Sequence, residues 1–140
     1  MLFAGEGRAD ITPPNGTVLA GFHFTPGNER VVTGVRQPPQ TRALALRVGE
    51  STALILSLEI LAVSQEFTKS LQQRIALKTG VKADHIRVCA THTHSMPTFR
   101  EFLQWGSVSK SYMELVAERT EAAAVAAIAK TPGAIAPFPG

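Results

Sequence analysis

The chain has one cysteine, Cys89. No intrachain disulfide can form, which suits a reducing compartment. One Trp and one Tyr leave little material for a base-stacking platform. Fourteen basic residues against eleven acidic ones give a formal net charge of +3, but they form no dense basic run. Nucleic-acid binding is therefore not expected. The longest apolar stretch, residues 53–63, is too short to cross a bilayer and contains Glu59. Met1-Leu2-Phe3-Ala4 lacks a basic leader and is soon interrupted by Glu6, so no signal peptide is read here. No internal repeat and no low-complexity segment is present.

What remains is an ordinary globular composition, 140 residues with 44% apolar and 18% charged side chains. That length suits one domain. At this size roughly 68–70% of the unfolded surface can be buried, so a core needs no staples.

The pattern predicts an α/β domain. Residues 7–12 read as a short edge strand ended by Pro13-Pro14-Asn15-Gly16, a strong turn signal. Residues 21–40 are rich in Gly, Pro, Asn and Thr and read as a long irregular loop of the kind that often carries function. Residues 42–48 alternate as a strand, Gly49-Glu50-Ser51 is a turn, and the apolar run 52–61 reads as a buried central strand, the two making a hairpin. Ser64 as N-cap, Glu66 in the first turn, apolar Phe67, Leu71, Ile75 and Leu77, Lys78 and then Gly80 define a helix over 65–79. A strand over 86–91 follows, and the strand-helix-strand order calls for a parallel pair reached by a right-handed crossover. Ser111-Tyr112-Met113-Glu114 matches a capping box before an Ala-rich helix running to about Lys130. The tail 134–140 reads as the start of another strand.

The most informative stretch is Cys89-Ala90-Thr91-His92-Thr93-His94-Ser95-Met96-Pro97. If the strand runs through it, His92 and His94 point to one side. They would then face a site at the strand's carboxyl end, where α/β proteins keep their chemistry. Neutral imidazole is a ligand for zinc and similar ions. Two metallohydrolase patterns are excluded. His-x-His-x-Asp-His fails because Met96 and Pro97 stand where Asp and His are required. A His-x-His on the first strand of a barrel fails because at least two strands precede it and no barrel fits in the remaining residues.

Five stretches follow in order, Gly7-Arg8-Ala9-Asp10-Ile11-Thr12-Pro13-Pro14, Leu19-Ala20-Gly21-Phe22, Thr41-Arg42-Ala43-Leu44, Ser57-Leu58-Glu59-Ile60-Leu61 and Ala90-Thr91-His92-Thr93-His94-Ser95. Together they resemble the neutral (neutral/alkaline, non-lysosomal) ceramidases and their bacterial homologues. Gly7-Arg8-Ala9-Asp10-Ile11-Thr12-Pro13-Pro14 is similar to that family's amino-terminal motif, and Leu19-Ala20-Gly21-Phe22 to its following loop. Thr41-Arg42-Ala43-Leu44 and Ser57-Leu58-Glu59-Ile60-Leu61 resemble two of its strands. Ala90-Thr91-His92-Thr93-His94-Ser95 resembles its Ala-Thr-His-Thr-His-Ser core most closely. The resemblance implies a mixed α/β sheet with at least two packing helices, with residues 1–140 an amino-terminal segment and incomplete piece of a larger ceramidase-type catalytic domain. It implies a zinc amidase acting on ceramide-like lipid, with one zinc ion, His92 as metal ligand and His94 as the catalytic or substrate-contacting neighbour. The family's other ligands, a His, a Glu and a Tyr, come much later in a longer chain. The 140 residues alone are therefore expected to bind metal weakly and not to turn over.

The match also has departures. Met96-Pro97-Thr98-Phe99 replaces a Gly-Pro-Gly-Gly run, Arg36 stands where the family commonly has a His, and Glu59 stands for an Asp. These motivate an alternative, a non-catalytic α/β domain that binds a partner or lipid. A third option is a two-histidine site completed across a homo-oligomer interface. Elsewhere Asp10 reads as a turn cap, Arg42 as a solvated or ion-paired residue, His23 and His85 as loop and turn residues, and Cys89 as a small buried hydrophobe. Ser95 lacks a nucleophile elbow.

Overall fold

Across the two residues Gly49-Glu50, Val48 faces Ser51. Gly49 takes φ +58°, which suits the first central position of a II′ hairpin turn. This turn joins β2 (Gln40–Val48) to β3 (Ser51–Leu58), and β2 also pairs antiparallel with β1 (Leu2–Asp10). The computed structural model describes residues 1–103 and 107–131. After β3 comes α1 (Gln65–Thr79), then a 3-10 turn at Ala83–His85, β4 (Ile86–Ala90) and α2 (Lys110–Lys130). β4 lies parallel to β3, so the sheet order is β1-β2-β3-β4. The mixed sheet, the edge position of β1 and the parallel β3–β4 pair all match the expectation from sequence.

Both helices pack into one core with one face of the sheet. Leu54, Leu56 and Leu58 of β3 alternate into it, and Ala43, Ala45, Ile86 and Val88 join from the neighbouring strands. Phe67, Leu71 and Ile75 enter from α1; Tyr112, Val116, Ala124 and Ala127 enter from α2. Each fully buried Leu or Ile stabilises the fold by about 1.5–3 kcal/mol. The Ser64 hydroxyl accepts from the Phe67 N–H at 3.1 Å and caps α1; Gly80, at φ +75°, closes its other end. α2 lies very close to β1. A methyl group on Gly5 or Gly7 would overlap the carbonyl oxygens of Ala127 and Ala123 respectively.

Other expectations are corrected. β1 begins at Leu2, and β3 ends at Leu58 and is buried on one face only. Its apolar run predicted cover on both sides, but the helices cover one, leaving Leu44 and Ile55 about two-fifths exposed at 40% and 42%. Leu77 falls off the helix stripe and is exposed. Ser109, not Ser111, caps α2, and Glu114 pairs with Arg74 of α1 at 2.8 Å instead of closing a capping box. The expected strand at 134–140 lies outside the described residues.

Candidate functional site

Parallel β3 and β4 end side by side, and the chain leaves both in the same direction. After β4, Thr91 N–H donates to Leu58 O and His92 N–H to Ile60 O. Leu61 N–H donates to Pro97 O and Phe99 N–H to Ala62 O. These bonds lace the segment 91–99 to residues 58–62 and hold the His-Thr-His motif at the carboxyl ends of the two strands.

β4 stops at Ala90, so the strand does not run through the histidines. Strand alternation is therefore not what aligns them. His92 instead adopts φ +62°, the left-handed region, which costs a non-glycine residue about 1–2 kcal/mol. The two rings still meet, with centroids 5.1 Å apart and planes at 74°. The rings come together by a different backbone route from strand alternation.

His92 Nδ1 lies 2.9 Å from the carbonyl oxygen of Leu61. A carbonyl only accepts, so Nδ1 carries the proton, and in the neutral imidazole the lone pair then falls on Nε2. An imidazole oriented by a backbone carbonyl in this way is the usual arrangement of a metal-binding histidine. The donor chemistry at His92 thus fits one zinc ligand. Among the described residues no three His, Cys, Asp or Glu side chains gather into a metal-sized group. His92 and His94 alone do not fill the three protein positions that catalytic zinc usually takes.

His94 is half-buried and held by packing. Phe22 meets it edge-on at 5.4 Å. Gly21, at φ +99°, lies so close that a Cβ there would come within 2.6 Å of His94 Cγ. Arg30 donates from Nη2 to the backbone oxygens of His94 and Ala20 at 2.8 and 2.9 Å. Phe22 is marked in sequence only as the end of the Leu19-Ala20-Gly21-Phe22 motif, Arg30 lies in a loop without period and carries no signal, and the Leu61 carbonyl has no side-chain signature at all.

A cleft of about 570 Å³ lies beside the motif, lined by Thr91, Thr93, Ser95, Glu59, Arg36 and apolar residues that include Val35 and Met96. Neither imidazole lines it. Glu59 is at this cleft, with Oε2 accepting from Gln40 N–H at 2.8 Å. The remaining candidates are dispersed. Asp10 Oδ1 accepts from Thr12 N–H at 2.6 Å, a turn cap; hydrogen bonding from the Thr12 side chain first, and from its backbone, holds the carboxyl below its ordinary value. Arg42 is exposed on the open sheet face. His85 Nδ1 sits 3.2 Å from Thr52 O, at the opposite end of β3. His23 is exposed in the long loop, and Cys89 is half-buried and unpaired by disulfide.

No helix among the described residues is long and apolar enough to cross a membrane. The architecture, a mixed four-stranded sheet with two helices and a His-Thr-His loop at the carboxyl ends of its parallel strands, places the chain in the α/β class. Two solved structures share this fold. A ceramidase complexed with C2 matches with TM-score 0.73 and 19% identity over 92% of this chain and 21% of that one. The neutral ceramidase from Pseudomonas aeruginosa matches with TM-score 0.74 and 19% identity over 92% of this chain and 22% of that one. This chain therefore has a ceramidase-like fold and spans about a fifth of the length of the chains it matches. No protein-family model and no curated protein sequence matches it.

Proposed function

We propose that residues 1–140 form the amino-terminal part of a zinc-dependent amidohydrolase domain. Its reaction is cleavage of the N-acyl amide bond of a ceramide-like lipid to sphingosine and a fatty acid. The observation that carries this reading is the Nδ1 contact of His92 to Leu61 O at 2.9 Å, which leaves Nε2 free beside the His94 ring. The ceramidase-like fold supports it.

In this reading His92 holds zinc through Nε2, and His94 lies on the substrate side. Zinc, when bound, polarises an amide carbonyl and lowers the pKa of its water to about 7. The Leu61 carbonyl keeps the His92 ring in one tautomer and one orientation. In the same reading His94 would orient the substrate or carry a proton near it. The further ligands come from sequence beyond these residues, so the 140-residue chain alone binds zinc weakly and is inactive.

The test is to express the chain with the sequence that follows it in its gene. Zinc content and fatty-acid release from an N-acylsphingosine are then measured before and after chelation. Zinc-dependent release supports the proposal. A zinc-free, inactive product would favour a non-catalytic domain that binds a partner or lipid.

A further inference from the structure

We infer that Arg30 is a positioning residue for His94, acting through the loop Ala20-Gly21-Phe22. This rests on the reading of His94 as the substrate-side neighbour of a metal-binding His92.

One guanidinium nitrogen, Nη2, donates to two carbonyl oxygens from distant parts of the chain, Ala20 at 2.9 Å and His94 at 2.8 Å. Its two hydrogens suffice for the two bonds. The guanidinium carbon also sits 4.4 Å from the centroid of the Phe22 ring, within cation–π range. Phe22 in turn presents its ring edge-on to His94 at 5.4 Å. Gly21 lies between, its backbone against the imidazole. The contacts form a closed circuit from Arg30 to Phe22, to the His94 ring, through the His94 carbonyl and back to Arg30. Arg30 makes no ion pair among the described residues, so its charge is directed at these carbonyls and this ring.

The two histidines are fixed by different means. His92 is oriented by a hydrogen bond, but the His94 ring makes none among the described residues. Its orientation therefore depends on its neighbours, His92 on one side and the Gly21-Phe22 wall on another. Ala20 N–H to Met96 O, at 3.1 Å, is a further tie between this loop and the motif, but it does not hold the Phe22 ring. Arg30 does, and a lysine would offer charge without the flat face that covers the ring.

The test is NMR of the 140-residue chain at one fixed pH. It follows cross-relaxation between the Phe22 and His94 rings, the core methyl resonances and the melting temperature. Arg30 is exposed, so Arg30→Ala opens no core cavity. That variant is expected to lose the Phe22–His94 cross-peaks, keep the methyl resonances of core residues such as Leu56 and Ile75 and melt within a few degrees of the parent. Guanidinium ion at sub-denaturing concentration is expected to restore the cross-peaks, and sodium chloride at equal ionic strength is not. Arg30→Lys is expected to lose them as well. Persistence of the cross-peaks in Arg30→Ala would overturn the inference, as would their loss together with a shift of the core methyl signals. The readout needs neither metal nor turnover, so its outcome is separate from that of the zinc reading.

Discussion

His92 Nδ1 rests 2.9 Å from Leu61 O while the His92 backbone holds φ +62°. The hydrogen bond thus stabilises a residue whose backbone opposes it. Glycine removes that opposition and alanine does not. Both substitutions delete the ring contact. His92→Gly should therefore be more stable than His92→Ala by about 1 kcal/mol, measured by chemical denaturation. Equal stabilities would mean that the left-handed conformation is not present.

Gly7 lets α2 lie against β1, since a Cβ there would overlap the Ala123 carbonyl oxygen. A backbone atom cannot swing aside as a side chain can. Gly7→Ala should destabilise the fold by about 1–3 kcal/mol, as overpacked cores do. Gly34, with nothing within 4 Å of its added Cβ, is the control, and Gly34→Ala should change the melting point little.

Glu121, 2% exposed, pairs with both Arg74 and Lys78 and ties α2 to α1. Arg74 also reaches Glu114 at 2.8 Å. Arg74→Ala leaves a buried carboxylate with one largely exposed lysine. The loss should be about 2 kcal/mol, below that of a fully buried pair because water reaches both cations. Adding Glu121→Leu to Arg74→Ala should recover much of it, and a double-mutant cycle measures the coupling.

Asp10 contributes to the acid limb of the stability curve. Hydrogen bonding from Thr12 lowers its folded pKa below the ordinary carboxylate value. The stabilisation is present above the unfolded pKa of about 3.9 and is lost as pH falls through the lower folded value. The residue is well exposed, so the effect is small. Asp10→Asn should flatten the acid limb of the stability curve below about pH 4 and leave neutral pH nearly unchanged. An unaltered acid limb would show that the Thr12 contact contributes nothing.

Helix α1 was legible to the residue because its signals are local: Ser64 caps it, Gly80 ends it, and the apolar side chains recur at its period. α2 was legible in extent but not in its cap, because Glu114 is used by Arg74 across space rather than by its own first turn. β3 was legible as a strand but not as one with an open face, since a continuous apolar run does not reveal which side is covered. Its uncovered side chains, Leu44 of β2 and Ile55, mark the face that the two helices leave free. The histidine pair was legible as a motif. Its alignment was not, because a left-handed His92, a backbone carbonyl at Leu61 and a clamp from Arg30 are long-range geometry without periodic trace.

Metal analysis of the longer gene product, with and without His92→Ala, bears most directly on the zinc reading. Circular dichroism would confirm that the variant is folded. One zinc ion per chain in the parent, lost in the folded His92→Ala protein, is the predicted result. Zinc content unchanged by that substitution would contradict the assignment of His92 as the metal ligand.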